Sequence, residues 1–216
     1  MIELLNVDCQ NYMLTVPDKY FDLAIVDPPY GINFSDYERV GSGIKTQKRH
    51  TKNGKKEWDK EIPSDDYFKE LFRVSKNQII WGGNYFPQIW DKGCRGFIFW
   101  YKQNPVENFS DGELAWTSFD NVARCLDYRY YGNLQGKTSS EKKIHPTQKP
   151  VYLYEWLLLK YAIAGNKILD THLGSASSAI AAHNRNFDFV GCEIDKNHYD
   201  AGSKRFKEST CQVKLF

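Results

Sequence analysis

The sequence has no Cys-X-X-Cys pair: Cys9, Cys94, Cys125, Cys192 and Cys211 stand singly among 216 residues. That excludes a zinc ribbon and a disulfide framework, and points to reduced thiols. His50, His145, His172, His183 and His198 likewise show no metal-ligand spacing, so no metal site is expected. There is no run of about 18 apolar residues, and the N-terminus has no basic stretch leading into an apolar one. Neither a membrane span nor a secretory leader is expected, and the chain reads as a soluble cytoplasmic protein. A net charge of +2 is too small to announce a nucleic-acid partner by itself. No internal repeat appears, and 216 residues suffice for one α/β domain, 1–216, with a sizeable core.

Against these absences, Asp27-Pro28-Pro29-Tyr30 ends the apolar run Phe21–Val26. A short apolar run closed by a turn signal is what a parallel strand buried on both faces looks like, and the loop behind such a strand lies at the carboxyl edge where open α/β sheets bind ligands. The residue types suit an amino group. The exocyclic amine of a nucleobase is a poor nucleophile because its lone pair is delocalised into the ring. Asp27 accepting one hydrogen and the Pro28 carbonyl the other would draw the nitrogen toward tetrahedral geometry. Pro28 and Pro29 fix φ and remove two competing N–H donors, and Tyr30 offers a face for stacking.

The stretch Lys167–Ala182 reads as strand, tight loop and helix, with Gly174 in the turn and a Ser/Ala run that lets the helix begin close to a ligand. A further apolar strand, Phe187–Cys192, ends at Glu193, about 20 residues beyond the glycine loop, where nucleoside-binding α/β folds place the carboxylate that holds ribose hydroxyls. Only one glycine of a GxGxxG pattern is present and no phosphate-cradling lysine follows. The expected ligand is therefore a nucleoside without phosphates, and a sulfonium cation would suit the flanking acids.

Charge distribution says more than net charge. From Arg39 to Lys56 the charged residues are Arg39, Lys45, Lys48, Arg49, Lys52, Lys55 and Lys56, with no acid among them. Such a segment, within a basic loop over 36–60, is expected to be mobile and to close on phosphates beside the catalytic turn. Residues 102–145, rich in amides, basic groups and aromatics, are candidates for an abbreviated target-recognition region.

In these motifs the chain resembles the amino-directed DNA methyltransferases of the β class, the small phage-like N4/N6 methylases that use S-adenosylmethionine. Asp27-Pro28-Pro29-Tyr30 is similar to that family's catalytic DPPY, and its aspartate form implies adenine. Asp170 to Ser178 resembles the cofactor loop DPFxGSGTT, His145 to Pro150 the HPTQKP segment, Asn6 to Cys9 the GDC segment, and Trp81 to Phe86 a WGGNYF stretch. The resemblance implies that Asp27, Pro28, Pro29 and Tyr30 are catalytic, and that Asp8, Asp27, Lys149, Asp170, His172, Gly174, Ser175 and Glu193 bind the cofactor. The candidate DNA-binding residues are Lys45, Lys48, Arg49, Lys52, Lys55 and Lys56. Among the departures from the pattern, His172 stands where the family has phenylalanine, and Ala176 replaces the second glycine, adding a methyl where backbone and ligand approach closely.

The implied fold is a Rossmann-like, S-adenosylmethionine-dependent methyltransferase fold, circularly permuted, its sheet mostly parallel with a terminal antiparallel hairpin. The pattern predicts strands over 1–8, 21–27, 78–81, 95–101 and 122–131, the last two as the hairpin, and helices over 65–75 and 151–164, the latter stopped by Gly165. The implied activity is transfer of a methyl group to adenine N6 in double-stranded DNA after base flipping. Cytosine-amine methylation, methylation of a protein side-chain amide and a non-catalytic DNA-binding accessory role stay open. A homodimer is an assembly the resemblance admits, and a prokaryotic or phage-encoded, nucleoid-associated protein is the expected setting.

Overall fold

The computed structural model describes residues 1–32, 37–39, 46–48, 61–104, 110–130, 141, 143–145 and 147–211. Its strands are β1 (Ile2–Leu5), β2 (Phe21–Val26), β3 (Tyr37–Arg39), β4 (Thr46–Lys48), β5 (Ser75–Trp81), β6 (Ile98–Tyr101), β7 (Gly112–Thr117), β8 (Arg124–Asp127), β9 (Lys167–Asp170) and β10 (Asp188–Cys192). Eight of them form a central sheet in the order β1-β10-β9-β2-β5-β7-β6-β8. Within it β1, β10, β9, β2 and β5 run parallel, β7 is antiparallel to both its neighbours, and β8 is parallel to β6.

The continuous apolar run of β2 is explained by cover on both faces. Phe21, Ala24 and Val26 face Met13 of α1 (Cys9–Leu14) and Tyr67, Phe68 and Leu71 of α2 (Asp65–Val74). Leu23 and Ile25 face the opposite way and join a cluster with Leu153, Leu157 and Ala179, from α3 (Val151–Tyr161) and α4 (Ser177–Asn184). A strand between two helical layers has no solvent side to keep polar. The last helix, α5 (Lys196–Thr210), is capped by Asp195, whose carboxylate accepts the Asn197 and His198 amides. Among the described residues no helix is long and apolar enough to cross a membrane.

Several expectations shift. The antiparallel hairpin is β6 with β7, whereas the two segments expected to form it, β6 and β8, pair in parallel. The missing strand, Gly112–Thr117, lies inside the polar stretch 102–145, where its single acid and small residues obscure its β pattern. The first strand stops at Leu5, and Asp8 instead caps α1, accepting the Asn11 amide at 2.8 Å. Helix α3 ends at Tyr161 because Ala162 turns extended; Gly165, with φ +88°, serves the following turn. Within the basic segment, β3 and β4 form a two-stranded antiparallel sheet. Lys45, Arg49, Lys52, Lys55 and Lys56 lie outside the described residues.

Candidate active site at the β2–β9 crevice

β2 connects through α2 to β5 on one side of the sheet, and β9 connects through α4 to β10 on the other, while β2 and β9 are hydrogen-bonded neighbours. The order of connection therefore reverses between these two strands, and the loops leaving their carboxyl ends splay apart to open a crevice. The first of those loops carries Asp27 to Tyr30, the second Asp170 to Ala176. Residues far apart in sequence meet there for a topological reason.

Asp27 is held from two directions. The Tyr30 hydroxyl donates to its Oδ1 at 2.6 Å, and the Lys149 ammonium lies 2.5 Å from its Oδ2. Burial, reinforced by the Asp27 charge, keeps the Tyr30 hydroxyl well above the usual phenol range, so it remains a donor. The Tyr30 ring is fixed in turn. Gly82, at φ +69°, lies so close that a Cβ there would run into the ring, and Tyr85 stacks on it with centroids 5.0 Å apart at 12°. Tyr85 is 41% exposed, so the aromatic platform at this edge is two rings wide and open on the Tyr85 side.

Lys149, placed among the cofactor ligands by resemblance, is buried between Asp27 and Glu113 of β7, with Glu113 Oε2 at 3.0 Å. Burial would lower its affinity for a proton, but the two carboxylates outweigh that and raise it. Glu113 also pairs with Lys102. Sequence reasoning quoted Gly82 and Tyr85 within a resembling stretch and placed Lys102 and Glu113 in the candidate recognition region, but gave none of them a part in this site. The available signal was Glu113 itself, a lone acid inside the β-patterned Gly-Glu-Leu-Ala-Trp-Thr.

On the β9 side, the Glu193 carboxylate accepts the Gly174 amide through Oε2 and the Asp195 amide through Oε1, both at 2.9 Å. It thereby ties the glycine loop to the end of β10. Gly174 adopts φ +49°, a backbone conformation that favours glycine. Ser175 is buried, and Arg205 of α5 donates to its carbonyl at 2.7 Å and to Ser177 Oγ at 2.9 Å, while also pairing with Glu141 at 2.8 Å. Ala176 also lies in the left-handed region, φ 59°, which costs a non-glycine residue on the order of 1 kcal/mol. Its methyl is fully buried and lies toward Gly202 of α5, where a Cβ would sit 3.5 Å away. The departure from glycine thus acts through backbone strain, and the methyl is not presented to the crevice.

His172 meets Thr171 Oγ1 at 2.9 Å and lies edge-on to Tyr67, centroids 5.6 Å apart. Burial pushes the imidazole down to about 4 in spite of nearby Asp8. It is therefore neutral at physiological pH and packs as a flat ring at the position where the resembling motif has phenylalanine.

Asp170 accepts the Ser178 hydroxyl at 2.6 Å and the His172 amide at 2.9 Å, yet burial, helped by the Asp27 and Glu193 charges, pushes its carboxyl up to about 7 from an ordinary 3.8. A raised acid gives stability that is complete below its unfolded value and lost as pH rises through its folded one. Asp170→Asn preserves shape and removes the charge. It is expected to match wild type in thermal stability near pH 4 and to exceed it by about 2 kcal/mol or more at pH 8.5. Parallel stability curves across that window would contradict this.

The donor set fits a particular ligand. Asp8, Asp27, Asp170 and Glu193 all stand at or just beyond the carboxyl ends of β1, β2, β9 and β10. The cation among the candidate cofactor ligands, Lys149, is already held by carboxylates. Such an edge suits a cationic nucleoside with free ribose hydroxyls and disfavours a phosphorylated one.

The family model described as DNA methylase matches residues 80–204. The Type II methyltransferase M.HinfI of Haemophilus influenzae is 24% identical over 250 aligned residues, covering 95% of this chain and 68% of its own. M2.DpnII of Streptococcus pneumoniae is 23% identical, with 94% and 89% covered. Among solved structures, the M1.HpyAVI–SAM complex aligns with a TM-score of 0.62 at 19% identity, covering 95% of this chain and all of that one. The PvuII DNA methyltransferase, cytosine-N4-specific, gives 0.63 at 12% identity, with 95% and 86% covered. A putative DNA modification methylase from Thermus thermophilus, complexed with S-adenosyl-L-methionine, gives 0.61 at 16%, with 99% and 96% covered. With its crevice residues in this arrangement and the methylase model spanning more than half of its length, the chain belongs to the N6/N4 DNA methylase family.

Proposed function

We propose that the chain is a site-specific DNA adenine methyltransferase, moving a methyl group from S-adenosyl-L-methionine to the exocyclic N6 amine of adenine in duplex DNA. The observation that carries this reading is the Asp27 carboxylate, fixed by Tyr30 and Lys149 at the mouth of the β2–β9 crevice and headed into two prolines. Gly174, Ser175 and Glu193 would hold the cofactor, with Asp8, Asp27, Asp170 and His172 shaping the pocket around them. When bound, the cofactor supplies an electrophilic methyl on a sulfonium sulfur, which keeps the bonding electron pair as the methyl leaves.

The protein's part is to make the amine nucleophilic and to aim it. Asp27 accepts one N6 hydrogen and the Pro28 carbonyl the other, which localises the nitrogen lone pair along the line of transfer. The nitrogen then sheds one proton, for which Asp27 is the adjacent acceptor. Stacking in the duplex hides the amine from in-line attack, so the base must be extruded, at a cost of a few kcal/mol, and received against Tyr30. Holding amine and donor in one geometry lowers the barrier that remains.

The aspartate at the head of the motif supports adenine, since cytosine-amine enzymes of the resembling family more often carry serine there. Base analysis of DNA from cells expressing the protein tests this directly. N6-methyladenine at a fixed sequence is expected; N4-methylcytosine would transfer the reading to cytosine, and unmodified DNA with no cofactor binding in a calorimetric titration would leave a DNA-binding accessory.

DNA binding through the acid-free segment 39–56 is part of the same proposal. Neutralising Lys48, Arg49, Lys52 and Lys55 together is expected to weaken duplex binding at all sequences alike. The slope of log affinity against log salt should flatten by about 0.9 for each phosphate that is no longer neutralised, with cofactor affinity unchanged. An unaltered slope would move the DNA path to residues 102–145.

A further inference from the structure

The catalytic acid does not stand alone with its lysine. Lys149 is 3% exposed, its ammonium shared between Asp27 Oδ2 at 2.5 Å and Glu113 Oε2 at 3.0 Å. Glu113 leans the other way on Lys102, which stacks over the Trp100 ring at 4.9 Å. The chain of charges runs Asp27, Lys149, Glu113, Lys102, alternating in sign and summing to zero. Three separate elements supply it: the loop after β2, the segment before α3, and the β6–β7 hairpin with the residue that follows β6. Among the described residues, hydroxyls and aromatic rings also border it. Tyr30 Oη lies 3.4 Å from Lys149 Nζ, the Trp81 ring is 5.3 Å away, and the buried Tyr154 hydroxyl of α3 is kept protonated by burial, with Asp170, Asp27 and Glu113 adding to the effect.

This arrangement solves a problem that the Asp27–Lys149 contact creates. A buried ammonium paired to one carboxylate draws that carboxylate's charge onto itself, which weakens it as an acceptor for an amine hydrogen. A second carboxylate on the same ammonium divides the attraction. Lys149 then fixes the direction of Asp27 without neutralising it.

We infer that Glu113 is a positioning residue for methyl transfer: by sharing Lys149 it holds the Asp27 carboxylate in place while leaving it free to accept the hydrogen of the target amine. This rests on the reading of Asp27 as the amine acceptor. It gives strand β7 a part in the chemistry although its acid touches no reacting atom.

Glu113→Gln keeps the volume and removes the charge. Turnover is expected to fall by about 10- to 100-fold, the scale of a missing charge-assisted interaction, with KM for DNA and Kd for S-adenosyl-L-methionine within about threefold of wild type. The pH profile separates this from a packing defect. With only one carboxylate partner the buried Lys149 releases its proton more readily, so the alkaline limb of kcat should begin about one pH unit or more below that of wild type. Glu113→Asp, which keeps the charge and shortens the reach, should recover part of kcat and return the limb toward wild type. It provides the same readout if the Gln variant melts early.

Unchanged kcat in both variants, or equal loss in both with an unmoved alkaline limb, would overturn the inference. Wild-type transfer and the Asp27→Ala variant, run alongside, keep the two readings apart. If wild type methylates DNA and Asp27→Ala does not, the assignment of Asp27 stands whatever Glu113 does. If Asp27→Ala still turns over, it is that assignment that fails.

Discussion

Asp27→Ala is expected to lower methyl transfer by at least about a thousandfold while leaving S-adenosyl-L-methionine affinity within about threefold of wild type. The asymmetry follows from what the carboxylate does. Its hydrogen bond with the amine matters most as the lone pair is localised, so its removal raises the barrier and hardly touches the ground state. The structure adds that the substitution removes the Tyr30 hydroxyl's bond to Asp27 and one of the two carboxylates that flank Lys149. Some loss of stability is therefore expected as well, on the order of 1–3 kcal/mol for the lost Tyr30 hydrogen bond and a half-compensated ammonium. Asp27→Asn is the useful companion, since its amide oxygen still accepts from Tyr30 but its charge is gone. Single-turnover methylation and calorimetric cofactor titration of both variants give the test. Turnover near wild type in either would remove Asp27 from the centre of the reaction.

How much of the fold and the site is legible in the sequence depends on whether a feature is local. The β2 run and its Asp-Pro-Pro-Tyr exit are readable because burial on both faces leaves a continuous apolar stretch and proline marks the turn. The β9–loop–α4 unit and Glu193 at the end of β10 are readable for the same reason. Strand β7 is not. Its antiparallel insertion between β5 and β6 is decided by tertiary pairing, and Gly112-Glu-Leu-Ala-Trp-Thr carries a charge where a buried strand should have none. That charge is tolerated because Lys102 and, 36 positions later, Lys149 are folded against it. Gly82 is visible as a glycine in Trp-Gly-Gly-Asn, but that it clears space for the Tyr30 ring is a fact of two elements meeting. The left-handed backbone at Ala176 contradicts its side chain, so no reading of propensity would place it there.

Glu193→Ala is expected to weaken S-adenosyl-L-methionine by about 10- to 100-fold, equivalent to about 1.4–2.8 kcal/mol. Two contributions enter, and the structure separates them. Both carboxylate oxygens already accept backbone amides, from Gly174 and Asp195, so the substitution unties the glycine loop and leaves the Gly174 amide without this acceptor. Each carboxylate oxygen has further lone-pair capacity, and a ribose hydroxyl donating to one of them would add to those bonds without displacing them. A cofactor analogue lacking ribose hydroxyls distinguishes the two. If Glu193 grips the ribose, wild type should prefer the natural sugar and the variant should lose that preference, the two changes failing to add as contacting groups do. If Glu193 only braces the loop, affinity should fall equally for both ligands. Unaltered binding of the natural cofactor would pass the ribose contact to another acid at this edge, with Asp195 the nearest in sequence.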